Sequence, residues 1–189
     1  MKKLVAILAA ALALAGCSTG KDAVSQNTTF QFVAPGGQTD IYYDGNRQPI
    51  PNLTGDDLMN PGKQISVAAY KGKVVVLNIW GQWCAPCRTE APELEKLYQQ
   101  EQSAGVEVLG YDVRDDDRSA AQDFVRSRGL TYPSIYDPPV RGLLALHGYP
   151  ISTVPSTIVI DKQQRVAAIY LRSILASDVL PLVQRLAKE

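Results

Sequence analysis

The stretch from Asn78 to Glu90, NIWGQWCAPCRTE, constrains this chain most, because it sets two cysteines with two residues between them at the joint of two different periodic patterns. Ahead of it the apolar run Val74 to Leu77 reads as an interior strand. Behind it, Thr89 to Gln102 carries helix formers with Ala91, Leu94, Leu97 and Tyr98 at helical spacing. The order is strand, short turn, CxxC, helix.

That order suits thiol chemistry. A thiolate is the nucleophile in thiol–disulfide exchange, so the first cysteine must lose its proton near neutral pH. Cys84 falls at the mouth of the helix, where unpaired backbone N–H groups and the positive dipole end favour an anion, and Pro86 is tolerated because the first turn needs no donor. Cys87 lies about one turn further in, placed to attack a mixed disulfide at Cys84 and release the product. The dipole contributes roughly 0.3 to 1 kcal/mol at an exposed site, less than one pKa unit, so neighbours must supply the rest.

Rival uses of the pair fit less well. Two buried structural cysteines could sit this close, but the strand and helix on either side argue for a redox pair. A zinc site needs further ligands, and only Cys17 and His147 remain to join the pair. Covalent haem attachment needs histidine directly after the second cysteine, where this chain has Arg88. No metal and no cofactor are therefore expected.

With Trp83, Cys84, Ala85, Pro86 and Cys87 in a row, Trp80 before them and Pro92 after them, the chain resembles the thioredoxin superfamily, and more narrowly its TlpA/ResA-like branch of extracytoplasmic, membrane-tethered oxidoreductases. The resemblance covers about Pro49 to the C-terminus. A second anchor, Thr153 to Asp161, resembles the family segment that faces the CxxC. It implies that Pro155 follows a cis peptide bond and that Val154 docks substrate through its backbone. Spacing alone says only that Pro155 begins a strand, where a missing N–H does little harm. The resemblance also implies that Trp83 and Pro86 shape the site. Cytoplasmic thioredoxins carry a buried aspartate where this chain has Asn78, and an amide cannot take up a proton as a carboxylate would. Glu90 matches a glutamate of the cytochrome c maturation branch that helps manage the thiols' protons, although a solvated helix-face carboxylate is the simpler reading. If buried, its charge would raise the pKa of a nearby thiol.

The first residues read as a targeting signal. Met1, Lys2 and Lys3 give a positive start, Leu4 to Leu14 is apolar but too short to span a membrane comfortably, and Leu14-Ala15-Gly16-Cys17 resembles a bacterial lipobox. Residues 1–16 are then a signal peptide, with lipid expected on Cys17. A plain secretory signal is the rival; cysteine parity favours lipidation, because an odd free thiol is a hazard in an oxidising compartment. Residues 17–29, small and polar, read as a tether, and 30–189 as one thioredoxin-like domain with an N-terminal extension.

Within that domain, Thr28 to Val33 and Thr39 to Tyr43, separated by Pro35-Gly36-Gly37, read as a small hairpin. Pro49 to Leu53 and Ile65 to Tyr70 read as further short strands, and Tyr42, Tyr43 and Tyr70 as packing groups. Val106 to Val113 is a buried strand, and the charge run Arg114 to Arg118 a solvated loop and helix start. Ser119 to Arg128 is a helix stopped by Gly129, so a βαβ crossover and a largely parallel sheet follow. Val140 to Leu146 makes a short helix ending near His147, a surface or helix-end residue. Thr157 to Asp161 and Arg165 to Leu171 form a closing hairpin, and Ser177 to Lys188 a helix packing Val179, Leu180, Val183 and Leu186 on the sheet.

The expected fold is α/β: a thioredoxin fold, with a central mixed sheet flanked by helices and an N-terminal β-hairpin extension. Lysine plus arginine and aspartate plus glutamate each number 19, so nothing points to nucleic acid. The expected activity is disulfide exchange outside the cytoplasm by a lipid-anchored monomer. Its expected substrates are protein disulfides, by family analogy the oxidised CxxCH of apocytochrome c, and its electron donor a membrane reductase of the CcdA or DsbD type. A dithiol oxidase or general exchanger is the first alternative, and a non-catalytic binding lipoprotein on the same scaffold the second. Peroxiredoxins carry a different active-site pattern.

Overall fold

The computed structural model describes residues 30–189; the stretches read as signal peptide and tether, and Cys17, lie outside the described residues. Among the described residues eight strands form one mixed sheet: β1 (Asp40–Tyr42), β2 (Thr54–Asp57), β3 (Gln64–Ser66), β4 (Val74–Trp80), β5 (Val106–Asp112), β6 (Ser134–Tyr136), β7 (Ser156–Ile160) and β8 (Val166–Tyr170). Their order across the sheet is β1-β8-β7-β4-β5-β6-β2-β3. The pairs β4/β5 and β5/β6 are parallel and the rest antiparallel. Three α-helices follow strands β4, β5 and β8: α1 (Ala85–Glu101), α2 (Arg118–Ser127) and α3 (Ala176–Lys188).

β4 is buried at every residue because it lies mid-sheet with both faces covered, which is why every residue in it but Asn78 is apolar. Alternation divides its side chains. Val74, Val76 and Trp80 join a core with Leu94 and Leu97 of α1, Phe124 of α2 and Val183 of α3. Val75, Leu77 and Ile79 join a second core with Phe30, Ile50, Leu143 and Tyr149. All three α-helices therefore cover one face, while the N-terminal segment and short 3-10 turns cover the other. The two βα crossovers step the same way along the sheet, β4 to β5 to β6, which puts α1 and α2 on the same side.

Several expected details differ. Residues 39–43 contribute β1, but it pairs with β8 rather than with the run before it, of which Gln31 makes only an isolated bridge to His147. The antiparallel hairpin ahead of β4 is instead β2/β3, and Val67–Tyr70 turns as a 3-10 helix after β3. Of the three tyrosines read as packing groups, Tyr43 and Tyr70 pack on the second core, but Tyr42 is exposed, its ring edge-on to Tyr170. On α3, Leu182 is buried with Val179, Val183 and Leu186, and Leu180 only partly so. Gly129 does end α2, with a φ of 62°.

Candidate active site

β4 ends at Trp80 and α1 begins at Ala85, with Cys84 as its N-cap. The Cys87 N–H donates to Cys84 Sγ at 3.2 Å, the bond a cap side chain takes from the third helical residue. Cys84 and Cys87 form a disulfide, their Cα atoms 5.3 Å apart. Both cysteines are 3% exposed, so burial does not separate their roles. The cap bond does: Cys84 sulfur is the one aimed into the helix's free N–H groups, where a thiolate would be stabilised.

Around the pair, Trp83, Ala85 and Pro86 are exposed and form its solvent-facing rim. The turn is tightly built. Trp83 Nε1 donates to the Val113 carbonyl at 3.0 Å, and the indole lies so close over Gly81 that a Cβ there would sit 2.4 Å from Nε1. The Gln82 N–H donates to Asp115 Oδ2 at 2.7 Å. Both ties come from the chain just past β5.

The peptide bond between Val154 and Pro155 is cis, as the resemblance implies. Ser156, the next residue, pairs with Ile79 near the C-terminal end of antiparallel β4, which brings Val154 and Pro155 to the sheet end from which the CxxC turn leaves. Pro155 is buried and Val154 half-buried. Ser156 Oγ donates to the Thr153 carbonyl and accepts from Tyr149 Oη, tying the loop down from beneath.

Asn78 and Glu90 meet in the interior. Even positions of β4 face the helices, so Asn78 points toward α1, and its Nδ2 donates to Glu90 Oε1 at 2.5 Å and to Thr157 Oγ1 at 3.1 Å. Glu90 is 1% exposed, which replaces the solvated reading of this carboxylate. Its other oxygen accepts from the Ile174 N–H at 3.2 Å, just before α3. Burial pushes its pKa up to about 7, against the pull of these hydrogen bonds. A group poised there, one turn beyond Cys87, can hold or give a proton at neutral pH.

The charge run after β5 is not wholly solvated. Asp117 caps α2 as expected, but Asp115 is 3% exposed, because its carboxylate reaches inward to Gln82. Sequence reasoning also passed over Asp112, which sits fully buried at the end of β5. Its place could have flagged it: an acid at the end of a buried interior strand is the exception that asks for a reason. His147 is exposed and takes no part in the site. Among the described residues, no group of three or more potential metal ligands occurs.

The family model described as AhpC/TSA family matches residues 47–169, from before β2 to within β8. This chain belongs to that family. The thiol-disulfide oxidoreductase ResA of Bacillus thuringiensis is 36% identical over 116 residues, and that of Bacillus subtilis 33% identical over 119. The match spans 61% of this chain and 64% of the B. thuringiensis protein, and 63% of both chains in the B. subtilis case. Among solved structures, a secreted thiol-disulfide isomerase from Corynebacterium glutamicum is 48% identical, with a TM-score of 0.83 over 85% of this chain and 99% of that one. A DsbF homologue from Corynebacterium diphtheriae is 47% identical, with a TM-score of 0.79 over 84% and 99%. The AhpC/TSA domain here thus has a thioredoxin-like fold, with the CxxC turn inside the matched segment.

Proposed function

We propose that this AhpC/TSA-family protein is a thiol–disulfide oxidoreductase in which Cys84 attacks and Cys87 resolves. The observation that carries the reading is the Cys84–Cys87 bridge at the N-terminus of α1, with Cys84 sulfur accepting the Cys87 N–H. In the reducing direction, the Cys84 thiolate attacks a substrate disulfide and expels one substrate thiolate, forming a mixed disulfide. Cys87, having lost its proton, attacks Cys84 sulfur, releases the second substrate thiol and leaves the intramolecular bridge. Glu90 is the group placed to exchange that proton. Val154 and Pro155 would seat the substrate chain against the rim made by Trp83 and Pro86.

The finer reading is a lipid-anchored, extracytoplasmic reductant. The likeness of Glu90 to a glutamate of the cytochrome c maturation branch favours protein disulfides such as the oxidised CxxCH of apocytochrome c, with a membrane reductase of the CcdA or DsbD type as donor. On this reading Cys17 is lipidated after removal of residues 1–16, residues 17–29 form a tether, and 30–189 act as a monomer. A second reading, general disulfide exchange on secreted proteins, is favoured by the higher identity to the corynebacterial proteins, one of them described as a secreted isomerase.

The reduction potential of Cys84–Cys87, measured by equilibration in redox buffers, tests the reductant reading, and a value near about -180 mV favours general exchange instead. A value near about -270 mV or lower supports the reductant, and one near about -120 mV overturns it in favour of a disulfide-forming oxidase.

A further inference from the structure

The buried acid at the end of β5 has no role in the exchange chemistry, yet it sits directly behind the turn that carries the cysteines. Asp112 is fully buried, and among the described residues neither of its carboxyl oxygens receives a hydrogen bond from any N–H or O–H donor. A charged carboxylate left in that state would cost several kcal/mol, so an ionised Asp112 is the wrong species for this pocket. What its carboxyl does reach is the carboxyl of Asp115. Two ionised carboxylates cannot share such a contact; one proton between them turns the repulsion into a hydrogen bond.

The surroundings decide which of the two keeps the proton. Asp115 already accepts the Gln82 N–H at 2.7 Å, whereas Asp112 accepts from no donor among the described residues. From β4, in register with Asp112, Trp80 presents an indole whose N–H also has no acceptor among the described residues. From β6, Tyr136 is the in-register neighbour, and its hydroxyl donates to the Asp115 backbone carbonyl at 2.7 Å. From α2, Arg118 is the cation whose charge reaches Asp112, but its guanidinium is stacked on the Tyr136 ring and engaged by the Asp56 carboxylate and the Asp57 and Leu58 carbonyls. Asp112 is therefore the donor and Asp115 the acceptor.

We propose that Asp112 is a positioning residue of the dithiol site: as the neutral acid it donates to the Asp115 carboxylate, which holds the Gln82 amide and with it the turn from which Cys84 leaves β4. The Trp83 indole, bonded to the Val113 carbonyl beside Asp112, belongs to the same assembly. Loss of the proton sets two negative charges against each other in the interior and loosens the hold on Gln82. Burial first, and Asp115 second, push Asp112 up to about 9, so the assembly is intact at neutral pH and opens in the alkaline range. The bearing on exchange chemistry rests on the redox reading above; the carboxyl pair itself does not.

The chain has two tryptophans, Trp80 and Trp83, and both flank this assembly. Tryptophan emission of the full-length protein is titrated in the disulfide form, in which Cys84 and Cys87 do not ionise. The wild type is expected to show a step centred near pH 9. Asp112→Asn, whose amide donates at every pH, is expected to abolish it, and Asp115→Asn, which removes the neighbouring charge, to move it to lower pH. Absence of the step in the wild type, or its persistence in Asp112→Asn, overturns the proposal. Should Asp112→Asn fail to fold, an Asp115→Asn midpoint that stays put or rises overturns it as well. The titration requires no turnover, so an inactive protein that still shows the expected pattern would sink the redox reading and leave this one standing.

Discussion

Glu90, one turn beyond Cys87, sits in an environment far from that of an ordinary surface acid. Its folded pKa, raised to about 7, lies above the value of 4.5 that an exposed glutamate has. Between those values the folded protein keeps a proton that the unfolded chain has lost, so stability falls as pH rises through this window and levels off above it. Glu90→Gln removes that dependence. Its stability relative to the wild type is expected to rise from near zero at pH 4 toward a ceiling of roughly 3 kcal/mol above pH 7, measured by urea melts across pH. A flat difference would show that Glu90 stays ionised when folded. Exchange rates of the same variant should lose their dependence on a group titrating near neutrality. Gly81 offers a steric counterpart. A Cβ there meets Trp83 Nε1 at 2.4 Å, so Gly81→Ala must displace the indole and break its bond to Val113. The expected cost is about 1 to 3 kcal/mol with a shifted tryptophan emission, and an unchanged spectrum would contradict the close approach.

At the scale of elements, the redox pair depends on how β4, α1 and the α3 entry are locked together. Asn78 on β4 and the Ile174 N–H before α3 both bond Glu90 on α1, and the Ala176 N–H adds a bond to Glu93. Leu94, on the same helix and 1% exposed, packs into the helix-side core. Leu94→Ala is expected to lower stability by about 2 to 5 kcal/mol in chemical denaturation while leaving the thiol chemistry of the surviving folded fraction intact. Much of this was legible in the sequence. Val74 to Leu77 announced an interior strand because a two-sided burial leaves no polar face, and the CxxC announced the start of α1 because Pro86 suits the first turn. What escaped depended on long-range contacts. Residues 39–43 show strand character but not their partner, and the chain chose β8, which lies more than a hundred residues away. Asp115 looked solvated because a run of like charges usually is, and only the approach of Gln82 draws it inward. Glu90 could be matched to a family glutamate, but its burial follows from Asn78 and Ile174, which meet it from elements far apart in sequence.

For the whole molecule, the distribution of helices matters most. With α1, α2 and α3 on one face, the other face of the sheet is closed by the N-terminal segment and short turns, with Phe30 buried at 1% exposure among Ile41, Leu146 and other second-core residues. The segment from residue 30 is thus part of the folded domain. Phe30→Ala should cost about 3 to 5 kcal/mol, comparable to a central core substitution, whereas a peripheral strap would lose far less. The central claim remains the division of labour between the cysteines, set by which sulfur caps α1. The most direct measurement is trapping: Cys87→Ser and Cys84→Ser proteins are each mixed with a disulfide-containing peptide and analysed by mass spectrometry. A mixed disulfide that accumulates through Cys84 in Cys87→Ser, and does not form in Cys84→Ser, is the predicted result. Trapping through Cys87 instead, or in neither variant, would contradict the account.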